Sequence, residues 1–305
     1  MELVSPVEIV CTGEAMVELS AAADGWRLGH GGDTLNTAIH LARAGNKVAY
    51  LTALGPDPFS AGMIRAWSDE GLDCSLVLQH PTRHAGLYAV SNDAQGERSF
   101  TYWRDASAAR AMFDLPEMDA AERRVAGAKV LLFSLISLAI LPDSGRERLL
   151  HLAASVRGSG GMVVFDGNFR PRLWSNATEA CHWRDRAIAT ASIGLPTLQD
   201  EAALGQSGDA TAACAHWQSL GCGETVVKLG PGGARLADGA IVPPADALRP
   251  VDTSGAGDAF NAGYLNARLH GMPPREAAAA GHELAGWTIM RPGAIPAGSL
   301  LEIDS

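Results

Sequence analysis

Apolar positions along the chain fall into two alternating periods. "EIVCTGEA" at 8–15 and "KVAYLTAL" at 47–54 are short β-rich runs, and between them Leu35, Ala38, Ile39 and Ala42 recur at helical spacing, predicting a helix over about 34–44. A second helix is expected at about 58–70. From "AKVLLFSL" onward the alternation resumes with a helix at about 143–157, the strand "GMVVFDGN", a helix near 178–190, then "SIGLP" and "TVVKLG". Two helices at about 256–270 and 275–290 close the chain. Strands separated by helices predict a parallel sheet with helices on both faces. The pattern breaks at 74–103, where "CSLVLQ", "GLYAVSND" and "RSFTYW" succeed one another with only turns between them, "DAQGE" making a hairpin. Parallel neighbours need a crossover, so these strands are expected to form a small antiparallel flap beside the main sheet. The expected architecture is one α/β domain over 1–305 with a central, mostly parallel sheet and a small β-strand lid drawn from about 14–31 and 74–104.

Composition narrows the function. With 305 residues, 47% of them hydrophobic, the chain can bury a sizeable core, which argues against disorder. A formal net charge of −10 without a Lys/Arg cluster argues against nucleic acid as a partner. The longest apolar stretch, "VLLFSLISLAIL" at 130–141, is too short to span a bilayer and reads as a buried strand with its exit, so no membrane partner is expected. "MELVSPVEIV" lacks the basic start and apolar block of a secretory signal. Five cysteines without a CxxC pair read as reduced thiols in a cytoplasmic protein. His80 and His84 flank Pro81 and no HExxH occurs, so a zinc site is not expected.

Open α/β sheets bind ligands in the loops leaving the carboxyl ends of their strands. In "GHGGDTLNTA", Gly31 and Gly32 precede Asp33, a good N-cap. Two readings stand: turn chemistry with a cap, or a loop whose missing side chains let a ligand reach the backbone while Asp33 and Asn36 face its hydroxyls. In "DGNFRPRLW" an extended backbone sends Asp166, Asn168 and Arg170 to one side. Arg170 suits a solvated surface, but beside Asp and Asn at a strand's end an arginine more often serves a ligand. The flap's "FTYWR" places Phe100, Tyr102 and Arg104 on one face, and a neighbouring strand supplies Tyr88. Core packing accounts for the aromatics better than for Arg104, whose planar guanidinium suits a carboxylate or phosphate. One arginine from the lid and one from the body fit a small acidic substrate. "KLGPGG" at 228–233 either begins a hairpin or lets a nucleotide lie against backbone.

"DTSGAGDAF" at 252–260 carries the sharpest signal. If residues 255–258 form a first helical turn, their amides lack intrahelical partners and make an anion site favoured by the helix dipole. Asp258 is expected to be kept ionised by the same field and to accept the proton of a hydroxyl attacking phosphorus. Alternatively it is a favourable first-turn carboxylate behind a "DTS" cap. Aspartic-protease chemistry needs a second such carboxylate, and the chain has one copy.

Gly31, Gly32, Asn36 and Ala38, with "DTSGAGDAF", resemble the two signatures of the ribokinase-like, or PfkB, carbohydrate kinases, and the resemblance runs from about residue 8 to 296. Within that family "GGDTLNTA", "GERSFTYWRDASAAR" and "NFRPRLW" are most similar to the 2-keto-3-deoxygluconate kinases, which phosphorylate the terminal hydroxyl of a sugar acid with Mg-ATP. The resemblance implies a ribokinase-like fold, a sugar acid and ATP as ligands, and Mg2+ as a cofactor with a monovalent cation as an optional third. Gly32, Tyr88, Tyr102, Arg104 and Arg170 would hold the substrate, joined by Gly31, Asp33, Asn36 and Asn168 from the loops above. Asp258 would be the base and Gly255, Ala256 and Gly257 the anion hole. Lys228, Gly230, Gly233 and Ser254 would line the nucleotide side, with His282 near the nucleotide's base. The lid would also make a homodimer or higher homo-oligomer contact.

One departure stands out: relatives carry Asn-x-x-Glu where this chain has "PTLQDE", with Leu198 in the Asn position. Glu201 is then expected to keep an indirect role toward Mg2+, helped by Asp200. Two alternatives remain open: a fructokinase or other neutral-sugar kinase of the same fold, and a catalytically silent sugar- or nucleotide-binding regulator. A dinucleotide dehydrogenase is disfavoured because "CTGEAMVEL" lacks GxGxxG.

Overall fold

A computed structural model of the protein describes residues 7–92 and 98–298; the "DAQGE" hairpin and the N-terminal "MELVSP" lie outside them. In chain order, β1 (Ile9–Thr12) leads into β2 (Met16–Ala22) and β3 (Gly25–Gly31), then α1 (Asp33–Arg43), β4 (Val48–Leu54), α2 (Pro58–Asp69) and β5 (Val77–Gln79). There follow β6 (Gly86–Asn92), β7 (Arg98–Trp103), α3 (Met118–Val125), β8 (Val130–Ser134), α4 (Leu135–Ala139), α5 (Asp143–Gly158), β9 (Met162–Asp166) and α6 (Ala177–Ile188). The chain continues through β10 (Ile193–Gly194), α7 (Leu198–Ala203), α8 (Ala210–Ser219), β11 (Glu224–Thr225), β12 (Val227–Lys228), β13 (Ala234–Arg235) and β14 (Ile241–Val242) to α9 (Ala256–Leu269) and α10 (Pro274–Ile289).

The main sheet has the order β11-β10-β9-β8-β1-β4-β5, and its pairings are parallel. Its strands are buried on both faces, so successive side chains feed two cores. Val10, Leu131, Phe133, Val163 and Phe165 point into one, and Ile9, Cys11, Val130, Leu132 and Val164 into the other. This is why those strands read as continuous apolar runs. "VLLFSLISLAIL" is β8 passing straight into α4, whose start is fixed by a capping box between Ser134 and Ser137. No helix among the described residues is long and apolar enough to cross a membrane.

The lid is a four-stranded sheet, β3-β2-β6-β7, and here two expectations are corrected. "CSLVLQ" does not join it: β5 pairs in parallel with β4 at the edge of the main sheet, because α2 supplies the crossover such a pairing requires. Nor is the lid purely antiparallel, since β2 and β6 run parallel, with Met16 opposite Gly86 and Glu18 opposite Tyr88. Both strands leave the body in the same direction. Helices α3, α7 and α8 go beyond the elements the pattern predicts. The last two are short, and their starts depend on single caps, Thr197 accepting from the Asp200 amide and Asp209 from those of Thr211 and Ala212.

Candidate active site

The loops at the carboxyl ends of β1, β8 and β9 meet the N-termini of α1 and α9. Gly32, the residue before α1, has extended backbone, and a Cβ there would collide with the Glu14 carbonyl; the glycine answers to close packing. One turn into α1, Asn36 donates from Nδ2 to Asp258 Oδ2 at 2.7 Å, and Thr37 donates to the Asp258 carbonyl at 3.1 Å. Asn168, past β9, donates to Asp33 Oδ2 at 3.1 Å. The loops therefore bring Asp33, Asn36, Asn168 and Asp258 together as two hydrogen-bonded pairs, close enough for the Asp33 carboxylate to influence Asp258. Asn36 Oδ1 is buried without a partner among the described residues, an acceptor left for a hydroxyl.

Beneath α9 lies a second polar knot. Lys228 donates to Asp166 Oδ1 at 3.1 Å and to Asn261 Oδ1 at 2.9 Å, and Asn261 returns Nδ2 to Asp166 Oδ2 at 2.8 Å. All three are buried. Asp166 was read from the sequence as sharing a side with Asn168 and Arg170 but given no role, and Asn261 was not singled out, although it lies three positions after Asp258 and so shares its helix face.

Helix α9 begins as the glycines foretold. Gly255 is the residue before it, in the left-handed conformation (φ 71°), and no side chain caps the helix. Among the described residues no backbone carbonyl accepts from the amides of Gly257 and Asp258. A Cβ on Gly257 would meet nothing nearer than Lys228 Nζ at 3.7 Å. The first turn thus offers amides without backbone acceptors among the described residues, with an ammonium close by, a geometry suited to an anion.

The ionisation of Asp258 differs from the sequence expectation. Burial pushes its pKa up to about 8, and the carboxylates of Asp33 and Asp166 push the same way, against the Asn36 hydrogen bond and the Lys228 charge. The helix dipole acts at the edge of a site whose desolvation and like charges are the larger effects. Asp33 is raised for the same leading reason, burial.

The lid supplies Tyr88, whose hydroxyl donates to Glu18 and occupies the place a Gly31 side chain would need. Tyr88, Phe100 and Tyr102 form a patch with ring centroids 6.0 to 6.4 Å apart. Burial, then the Glu18 carboxylate, raises the Tyr88 hydroxyl far above its usual range, so it stays a donor. Glu18 was not foreseen; its signal was the alternation of "MVELS", which puts Met16, Glu18 and Ser20 on one face.

The two arginines part company. Arg104 is buried and donates from Nε to Glu14 Oε2 at 2.8 Å and from Nη2 to the same oxygen, so its charge is matched within the protein. The side chain of Arg170 is 53% exposed, donates to the Phe169 carbonyl, and lies 4.0 Å from Asp200. Glu201, expected to act indirectly toward Mg2+, has both carboxylate oxygens engaged within the protein. Its carboxylate is fully buried, with Arg184 at 3.0 Å on one oxygen and the Trp217 indole at 3.0 Å on the other. Asp200 is the member of that pair whose ionisation responds to Arg170, Asp166 and Lys228.

The residues expected on the nucleotide side make their own neighbourhood. Gly233 closes the turn from β12 into β13, and a Cβ there would strike the Val242 carbonyl; Gly230 (φ 59°) has open space around it. "KLGPGG" is thus a hairpin turn in which Gly230 and Gly232 are exposed and Gly233 is buried. His282 donates to the Val242 carbonyl at 2.9 Å and packs edge-on against Phe260, with burial lowering its proton affinity. The Ser254 amide donates to Asp252 Oδ1 at 2.8 Å, which orders the turn before Gly255.

Comparison with known proteins bears on this arrangement directly. Residues 7–299 match the model of the pfkB family carbohydrate kinases. The chain is 39% identical to a 2-dehydro-3-deoxygluconokinase of Escherichia coli (strain K12), across 94% of this chain and 96% of that protein. To a fructokinase of Salmonella typhimurium it is 30% identical, across 86% and 84%. The aminoimidazole riboside kinase of Salmonella enterica, solved with aminoimidazole riboside and an ATP analog, superposes with a TM-score of 0.79 at 26% identity, covering 95% of this chain and 96% of that one. With a lidded parallel sheet, an acid at the head of a glycine-started helix and a match over nearly its whole length, the chain belongs to the pfkB family of carbohydrate kinases, phosphotransferases acting on a sugar hydroxyl.

Proposed function

We propose that the protein phosphorylates the terminal hydroxyl of 2-keto-3-deoxygluconate, or of a closely related keto-deoxy sugar acid, with ATP. The similarity to 2-dehydro-3-deoxygluconokinases supports the substrate class, and one observation carries it to the residues: Arg170 stands half-exposed two positions after Asn168, and its ion pair among the described residues, with Asp200, is a long one at 4.0 Å. A substrate carboxylate is a partner this exposed guanidinium can take at closer range than Asp200. A neutral sugar would leave the guanidinium unused.

The steps follow from the chain's own groups. The lid tyrosines and Glu18 close over the sugar while Asp33, Asn36 and Asn168 hold its hydroxyls, and Arg170 orients the acid end. Ionised Asp258 takes the proton of the terminal hydroxyl as that oxygen bonds to the γ-phosphorus and the bond to ADP breaks. The α9 amides and Lys228 receive the charge of the transferring group without having to reorganise. Mg2+, bound with the nucleotide, would neutralise phosphate charge. Among the described residues no cluster of three or more His, Cys, Asp or Glu could hold a metal alone. The carboxylate offered to it is Asp200, raised by burial and by Asp166, an arrangement a cation relieves.

Arg170→Ala tests the reading. The KM for the keto-deoxy acid should rise about 10- to 100-fold, the range of a lost charge-assisted hydrogen bond, with kcat for a neutral sugar unaltered. An unchanged KM would place the acid elsewhere. The lid also exposes Trp26, Leu28 and Trp103 on the face opposite Tyr88, which supports a second copy of the chain as its cover.

A further inference from the structure

Asn36, His40 and Arg43 share one face of α1, and the helix uses them at two levels. Its first turn holds Asp258, Asn36 by the carboxylate and Thr37 by the carbonyl. Its last turns hold the end of the chain. His40 Nε2 lies 3.2 Å from the Ala294 carbonyl oxygen, and Arg43 Nη1 donates to the carbonyls of Pro296 at 2.6 Å and Gly298 at 3.0 Å. Burial holds the His40 pKa down to about 4, so its ring is neutral and Nε2 is the donor. The remaining nitrogens of Arg43, Nε and Nη2, donate to the two carboxylate oxygens of Glu70, just past the end of α2, each at 2.6 Å. That two-point grip fixes the plane of the guanidinium.

Residues 293–298 thus form a strap tied to α1, and the strap bears on the turn before α9. A Cβ on Gly255 would stand 2.6 Å from Ala294 Cβ and 2.9 Å from the Ala294 carbonyl oxygen. The Asp252 carboxylate accepts from the Ser254 amide at 2.8 Å and the Gly293 amide at 2.7 Å, joining turn to strap. One helix therefore sets both Asp258 and the wall against which Gly255 makes its left-handed turn.

We propose that His40 and Arg43 are positioning residues for phosphoryl transfer: by tying the strap to the helix that holds Asp258, they keep the Gly255 turn in place and the Gly257 and Asp258 amides aimed at the transferring group. Glu70 orients Arg43 for that task. This rests on the kinase reading of the site but not on which sugar it takes.

Kinetics and binding on four variants test it, with the keto-deoxy acid as substrate. Arg43→Ala and His40→Leu should each lower kcat by about 10- to 100-fold, the cost of misplacing donors to developing charge, with the KM for the sugar changed less than about threefold. A strap that only held the fold together would give folded variants with normal kcat. His40→Gln, which returns a neutral N–H donor, should recover most of the loss. Arg43→Lys should recover less, because one ammonium cannot serve Glu70 and two carbonyls in the geometry of the fork. Affinity for ADP with aluminium fluoride, a mimic of the transferring phosphoryl group, should fall by the same factor as kcat while affinity for ADP alone holds. If Arg43→Ala does not fold, His40→Leu decides, since it removes one donor and no charge. Unchanged kcat in the folded variants overturns the proposal, and so does a loss confined to the KM for the sugar. Should the wild type turn over only a neutral sugar, the substrate reading alone falls, and the same variants are scored on that sugar. A wild type silent on every sugar removes the kinase reading and this proposal with it.

Discussion

Asp258→Asn lowers kcat by about 10²-fold or more, the contribution of a positioned general base, while the protein folds as before. Asparagine keeps an oxygen for Asn36 Nδ2 and the backbone carbonyl for Thr37, so the contacts between α1 and α9 survive. What is lost is proton acceptance. The wild type should show the same group in its pH profile: with its pKa at about 8, the base proposed at Asp258 requires the ionised form, so kcat/KM at limiting sugar and ATP should climb as pH rises through about 8. Stability runs the other way. The folded-state pKa lies above the ordinary aspartate value of 3.8, so this group's stabilising contribution is full below that value and is lost as pH rises through the folded one. Asp258→Asn removes the buried charge, so at pH above about 8 its melting temperature should equal or exceed that of the wild type. A variant with near-normal turnover would take Asp258 out of the mechanism.

Gly257→Val should likewise separate activity from folding. The protein itself leaves room for a side chain there, the nearest atom to a Cβ being Lys228 Nζ at 3.7 Å. The space is kept for something outside the chain, and filling it should cost about 10² to 10³ in kcat, as losing a donor to developing charge does. The melting temperature should hold. Gly255→Ala makes the contrast: its φ of +71° and an Ala294 Cβ at 2.6 Å mean that a methyl strains the backbone and strikes the C-terminal segment, so stability falls with activity. Full activity in folded Gly257→Val would show that no phosphoryl group passes over that turn.

Periodicity was enough for the main sheet because strands buried on both faces announce themselves as apolar runs. It was not enough for "CSLVLQ", since edge strands of sheet and lid look alike until the crossover helix before them is counted. The glycine-started helix was legible because left-handed backbone and open space both demand the smallest residue. Charges were harder. Sequence marks Arg104 and Arg170 as equals, yet burial with Glu14 occupies one and leaves the other exposed. Glu201 and Asp200 are neighbours whose fates differ by one step around α7, which turns the first onto Arg184 and Trp217. The ionisation of Asp258 was misjudged because its strongest influences, burial and two carboxylates from distant segments, are tertiary.

The most direct test of the central claim is ADP release from Mg-ATP by the purified protein with 2-keto-3-deoxygluconate, its galactonate epimer, fructose, ribose and adenosine. Strong turnover on the keto-deoxy acids and little on the others is the expected result. Turnover on fructose or ribose in their place would contradict the carboxylate-recognising role of Arg170, and silence across the panel would contradict the kinase itself.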